Sequence, residues 1–193
     1  MDYATLPLTE IRTGLESVAR DVEATFGSLD ARQLNWRPDA AQWSVAQCFE
    51  HLLATNRMMS QAGEDALSGR ASKSIWLRLP FWPRIFGPLI VRSQAPAATR
   101  KYKTSPQATP ASSDISPDVI PRFIEQNRQL ITRVQTIDER AAAKVIMASP
   151  FATFVTYSVL DGWRLLFTHD RRHIEQARRV MRSAGFPASP PVR

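Results

Sequence analysis

Apolar residues recur at helical spacing in four separate stretches of this chain. From Leu8 to Phe26, the residues Ile11, Leu15, Val18, Val22 and Phe26 fall at steps of three and four. That spacing predicts one apolar stripe on a helix. Pro7 suits its first turn and Gly27 its stop. A loop is expected through Leu34, Trp36 and Pro38. The second helix has the sharpest start. Ser44 is followed three residues later by Gln47, the spacing of a capping box, and Trp43 and Cys48 occupy the positions of a hydrophobic staple. Phe49, Leu52, Leu53, Met59 and Leu67 supply its apolar surface, and Gly69 follows its expected end near Leu67. A third helix is predicted to begin between Ser116 and Pro121 and to reach about Ile137. Its stripe is Ile120, Phe123, Ile124, Leu130, Ile131 and Val134. The last helix, capped by Thr156 or Ser158, carries Asp161 in its first turn and runs to about Ala184. Gly185 and Pro187 follow it.

Residues 69–117 break this rhythm. Trp76, Phe81, Trp82, Ile85, Phe86 and Leu89 are apolar, but Pro80, Pro83 and Pro88 exclude one long regular helix. Short helical turns and then an extended linker containing Pro and Ala are expected. No internal repeat and no strand is predicted, although Phe151 to Tyr157 is locally rich in β-formers. Four long amphipathic helices joined by one long crossover predict an all-α fold, a four-helix bundle. The chain is expected to form a single domain over residues 1–193, with the insert at about 69–117.

Composition narrows the classes further. An apolar content of 44% over 193 residues supports a real core and excludes a disordered chain. One cysteine excludes a disulfide scaffold and a zinc finger with paired cysteines. Seven glycines are too few for the turns of a sandwich or barrel. The N-terminal MDYATLPLTEIR lacks the basic and apolar regions of a signal peptide, and no uncharged apolar run reaches 18 residues, so a cytoplasmic location is expected.

The net charge of +7 is localised. No acidic residue lies between Asp65 and Asp114, whereas Arg70, Lys73, Arg78, Arg84, Arg92, Arg100, Lys101 and Lys103 do. The other 17 basic residues nearly balance the 18 acidic ones. With basicity confined to one insert and no recognition motif present, nucleic acid is not an expected partner. For residues 73–92, a crossover that packs its aromatics on the helices is preferred. A lid over a pocket comes second, and a membrane-surface element is disfavoured. The expected partner is a small molecule, and a homodimer is left open.

Three histidines carry the candidate chemistry: His51, His169 and His173. The last two are four apart on a predicted helix and point the same way. Leu166, Ala177 and Val180 share their face, and Thr55, Met58 and Ala62 share the face of His51, so all three rings are expected to look inward. A buried histidine needs hydrogen-bond partners or a metal. Three imidazoles with an open position describe a catalytic type of Zn²⁺ site or one for another borderline divalent ion. The alternative is a chance HxxxH on a solvent-facing helix, for which Asp170, Arg171 and Arg172 are polar enough.

The string WSVAQCFEHL (Trp43 to Leu52), followed much later by HDRRHIEQ (His169 to Gln176), resembles the DinB/YfiT-like superfamily. The Trp36–Pro38 WRP, the linker KYKTSPQATPASS and the Pro-containing start of the third helix resemble its DinB_2 branch. The resemblance covers most of the chain and keeps the motif order. It implies a four-helix bundle with a long crossover between the second and third helices. It also implies a divalent metal, zinc or nickel, held by His51, His169 and His173. Some members transfer low-molecular-weight thiols such as bacillithiol or mycothiol, and relatives carry out mycothiol-dependent isomerisation. The resemblance therefore implies a metal-dependent enzyme that transfers such a thiol to a small electrophile. A metal-dependent hydrolase and a non-catalytic metal- or small-molecule-binding module are the alternatives.

Other residues are weighed against this frame. Gln176, on the face of His169, can hydrogen-bond a ligating imidazole or a bound water, or serve as a core glutamine bonded to backbone. Gln47 faces His51, but its capping duty competes. Glu50 lies about 100° from His51 on the wheel and reads as a surface carboxylate. Asp161 is expected to help the helix start, and Tyr157 to reach a pocket rim at most. Cys48 is expected to be a buried staple residue, neither ligand nor nucleophile.

Overall fold

The capping box read from Ser44 and Gln47 forms with both arms. Ser44 Oγ accepts the Gln47 amide at 3.1 Å, and Gln47 Oε1 accepts the Ser44 amide at 2.9 Å. It opens helix α3 (Val45–Leu67), with Gly69 beyond its end in the left-handed region at φ 71°. The computed structural model describes residues 2–71, 82–96, 104–111 and 114–188. Within them the helices are α1 (Leu8–Phe26), α2 (Ala31–Asn35), α3, α4 (Trp82–Ser93), α5 (Val119–Thr136), α6 (Glu139–Lys144) and α7 (Val159–Met181). The chain is mostly helical, as its periodicity predicts. The strands β1 (Ile146–Ser149) and β2 (Ala152–Ser158) are added to them.

Each of the four long helices packs against two others: α1 on α5 and α7, α3 on α5 and α7. Side chains fix their directions. Gln126 donates to the Leu53 carbonyl at 2.9 Å, and Arg133 pairs with Glu64 at 2.8 Å, so α5 runs alongside α3 in the same sense. His51 meets His173 whereas Gly63 abuts Val159, so α7 runs opposite to α3. Gly14 abuts Phe167 and Asp21 pairs with Arg178, so α1 runs with α7. Two neighbouring helices with the same sense cannot be joined by a short turn, which is the reason for the long crossover between α3 and α5. The stripe predicted for α1 is fully buried. Edge-to-face contacts Phe26–Phe49 and Phe49–Phe123, each 5.1 Å between ring centres, tie α1, α3 and α5 together.

The expectation of no strand is wrong. β1 and β2 form an antiparallel hairpin, with Ile146 opposite Ser158, Met147 opposite Tyr157 and Ala148 opposite Thr156. The local β-formers of 151–157 prevail because β2 has partners to pack on: it meets α4, and Thr156, Tyr157 and Ser158 are buried. Ser158 ends the strand and caps α7, accepting the Asp161 amide at 3.0 Å, so Asp161 does serve the helix start. Tyr157 lies in the core at 1% exposure and reaches no rim. α7 stops at Met181, three residues before the expected end, and Gly185 takes φ 83° beyond it.

Within the insert, Trp76, Phe81, Lys73 and Arg78 lie outside the described residues, as do Lys101 to Lys103 of the linker. α4 packs on β2 and α7. It buries Val91 and leaves Ile85 and Leu89 exposed, so only part of its apolar surface joins the core. Among the described residues no helix is long and apolar enough to cross a membrane.

Candidate metal centre

The ends of α3 and α7 that carry histidine are brought together by the antiparallel packing of these helices. His51 stands in the second turn of α3, and His169 and His173 stand one turn apart on α7. The three ring centres are 5.0 Å (His51–His169), 4.6 Å (His51–His173) and 4.5 Å (His169–His173) apart. One nitrogen from each ring lies within 4.8 Å of the other two. The solvent-facing alternative for HxxxH is therefore set aside.

The donor atoms suit a metal. His51 Nδ1–H donates to the Ala108 carbonyl at 2.7 Å, which leaves Nε2 with its lone pair. That Nε2 faces His169 Nε2 at 3.3 Å. A tetrahedral ion bonded to nitrogen at roughly 2.0–2.1 Å separates its ligand atoms by about 3.3 Å. Electrostatics keep the rings neutral. Burial lowers the pKa of His51 against the opposing pull of its bond to Ala108. Burial and then the neighbouring His173 and His51 take His169 well below the ordinary value. Burial, then His51, bring His173 down to about 3, and a hydrogen bond that the ring gives to Gln176 opposes them. Neutral imidazoles are what a divalent ion requires. The three histidines fit the ion that their residue types imply.

Around the ligands, Trp43 is the residue whose role sequence reasoning missed. It was assigned to a staple with Cys48. Its indole also lies 5.0 Å from the ring of His51 and stacks at 5.8 Å and 26° on that of His173. Its position eight residues before His51, on the loop leading into the same helix, was the available signal. Arg172 and Arg179 add positive potential at His173. Cys48 is fully buried, and burial pushes its thiol up to about 12, so it supplies no thiolate near neutral pH. Asp170, read as a candidate solvent-facing neighbour, is fully buried and accepts from Asn56 Nδ2 at 2.9 Å. Burial raises its carboxyl to about 8.

Gln47 and Glu50 do more than expected. Beyond the capping box, Gln47 Nε2 donates to the Ala111 carbonyl at 2.8 Å. Glu50, expected on the surface, is half-buried and accepts the Ala111 amide at 2.5 Å. Two open surface clefts among the described residues are lined by none of the three histidines. One is lined by Leu53, Pro121, Gln126 and Gln129, the other by Ala31, Trp36, Ile115 and Pro117.

The sequence model of DinB_2, the DinB superfamily, matches residues 15–177, and the chain belongs to that superfamily. No curated protein and no solved structure matches it.

Proposed function

For this member of the DinB superfamily, we propose a metal-dependent enzyme that transfers a low-molecular-weight thiol to a small electrophilic substrate. The single observation that carries the metal part is the convergence of three neutral imidazoles from α3 and α7. His51, His169 and His173 would hold the ion, zinc or nickel by donor type. Bound there, a divalent ion supplies a Lewis acid that lowers the pKa of a thiol or water near it.

The chain's own residues support thiol chemistry in three ways. Three protein ligands leave a coordination position for a reactant. Trp43 covers two of the rings and limits water around them. Arg172 and Arg179 favour a negatively charged reactant over a neutral one. Cys48 cannot serve as the sulfur nucleophile, so the sulfur comes from a diffusible thiol. In the reaction the thiol proton passes to solvent, a carbon–sulfur bond forms, and the leaving group departs with its electron pair. A cytoplasmic location is part of this reading, because such thiols stay reduced there.

Hydrolysis is the second reading, since a water can take the same open position. The test is a screen of zinc- and nickel-loaded protein with several low-molecular-weight thiols and alkylating or epoxide electrophiles. Thiol-dependent consumption that His173→Ala abolishes supports transfer. Consumption independent of thiol supports hydrolysis. No turnover by a fully loaded protein overturns the enzymatic reading.

A further inference from the structure

Of the three histidines, only His51 is held by backbone. His169 Nδ1 and His173 Nδ1 have no hydrogen-bond partner among the described residues, whereas His51 Nδ1–H is fixed on the Ala108 carbonyl. That carbonyl belongs to a 3₁₀ turn, Pro106–Ala108, which lies in the crossover and packs on α3. Ala108 is 2% exposed. Three residues further on, Ala111 is gripped at both polar atoms of its backbone. Its carbonyl accepts from Gln47 Nε2, and its amide donates to Glu50 Oε2. Gln47, Glu50 and His51 are consecutive polar side chains along the start of one helix, and all three hold four residues of crossover backbone. Nothing in the amphipathic pattern of α3 requires this.

We propose that residues 108–111 form a strap that sets His51 as an Nε2 donor, with Gln47 and Glu50 as positioning residues that hold the strap. The proposal rests on the three-histidine metal reading for its consequence but not for its geometry. A histidine free to choose its tautomer divides its population between Nδ1–H and Nε2–H forms, and only the first offers Nε2 to the centre. The Ala108 carbonyl selects that form and fixes the ring plane. The carbonyl is itself in place only if the strap is anchored, and the anchor at Ala111 joins it to the same turn of α3. Partners of this kind, one bond removed from a metal, commonly govern affinity by about 10–100-fold.

Two substitutions loosen the anchor without touching a ligand. Glu50→Ala removes the acceptor for the Ala111 amide. Gln47→Glu keeps an oxygen for the Ser44 amide, and so keeps the helix cap, but cannot donate to the Ala111 carbonyl. Glu50→Gln is the conservative control, because its carboxamide oxygen still accepts. The decisive readout is the tautomer of His51 in metal-free protein, from long-range proton–nitrogen spectra of [¹⁵N]histidine-labelled protein, with His169→Gln and His173→Gln used for assignment. The parent and Glu50→Gln proteins are expected to carry the proton on Nδ1. Glu50→Ala and Gln47→Glu are expected to give mixed tautomers and zinc affinity about tenfold lower, with helicity unchanged by circular dichroism. Should Gln47→Glu fail to fold, the Glu50→Ala and Glu50→Gln pair decides alone. An unchanged tautomer in folded Glu50→Ala overturns the strap, and so does a changed tautomer with unchanged zinc affinity. If the parent protein binds no zinc, the metal reading falls by itself, and the tautomer still decides the strap.

Discussion

Nε2 of His51 and Nε2 of His169 stand 3.3 Å apart, although 118 residues separate them along the chain. Two imidazole nitrogens at that distance are tolerable if one donates to the other or if both give lone pairs to one cation. His51 has its only proton committed to Ala108, and His173 brings a third ring to within 4.6 Å. A divalent cation would satisfy all three rings together, which a single hydrogen bond cannot. The predictions below follow from that arrangement and from the helices that enforce it.

Cys48→Ser is expected to keep the metal and any activity. The thiol is fully buried, and burial holds it up at about 12, so it is neither ligand nor nucleophile near pH 7. A buried hydroxyl in its place should cost about 1–3 kcal/mol, read from urea unfolding. Loss of metal with intact helicity would show that the coordination shell is misassigned.

Asp170→Asn should separate from the parent chiefly at alkaline pH. Burial raises the folded carboxyl to about 8 from its ordinary 3.8. Between those values the native state binds the extra proton, so its stability falls as pH rises from about 4 towards 8. The carboxamide cannot ionise, and its oxygen can still accept from Asn56. In metal-free protein, the urea midpoint of Asp170→Asn relative to the parent is expected to be higher at pH 8.5 than at pH 5, both values chosen as roughly either side of that window. An equal difference at both would contradict a buried, neutral Asp170.

Trp43→Ala should loosen the site. The indole covers His51 and His173, and burial is the main cause of the low pKa of His173. Opening the site to water is expected to raise that pKa towards the ordinary histidine value and to speed zinc transfer to a chelator. Trp43→Phe should keep most of the parent behaviour. Unchanged chelator kinetics in Trp43→Ala would remove the indole from the site.

Gly14→Ala tests the fold apart from the site. A Cβ there would run into the Phe167 ring, where α1 packs on α7. Overpacking of this kind costs about 1–3 kcal/mol, seen as a lower urea midpoint, with zinc binding retained once the protein is folded.

These tests also mark what the sequence made legible. The four long helices announced themselves by stripes of period 3.6, and Ser44–Gln47 fixed the start of α3 to the residue. The helical wheel turned all three histidines inward. The hairpin was hidden because β1 is only four residues long and β2 depends on packing against α4 for its burial. The short helix α2 did carry a signal, the Asp30–Gln33 capping box, but five residues are too few to show a period. The Ala108–Ala111 contacts were not legible, since they join α3 to a crossover that carries no periodic pattern; Trp43 offered only its place before α3, and its stacking on His173 depends on how α7 packs against α3.

Metal content of the purified chain, before and after removal of each histidine, tests the central claim most directly. Elemental analysis of protein prepared without chelators is expected to give close to one divalent ion per chain. His51→Ala, His169→Ala and His173→Ala should each lose most of it while remaining helical, because the core from Ile11 to Ile174 is built without the metal. Full retention of metal in both His169→Ala and His173→Ala, or no zinc or nickel binding by the parent protein in titration, would contradict the account.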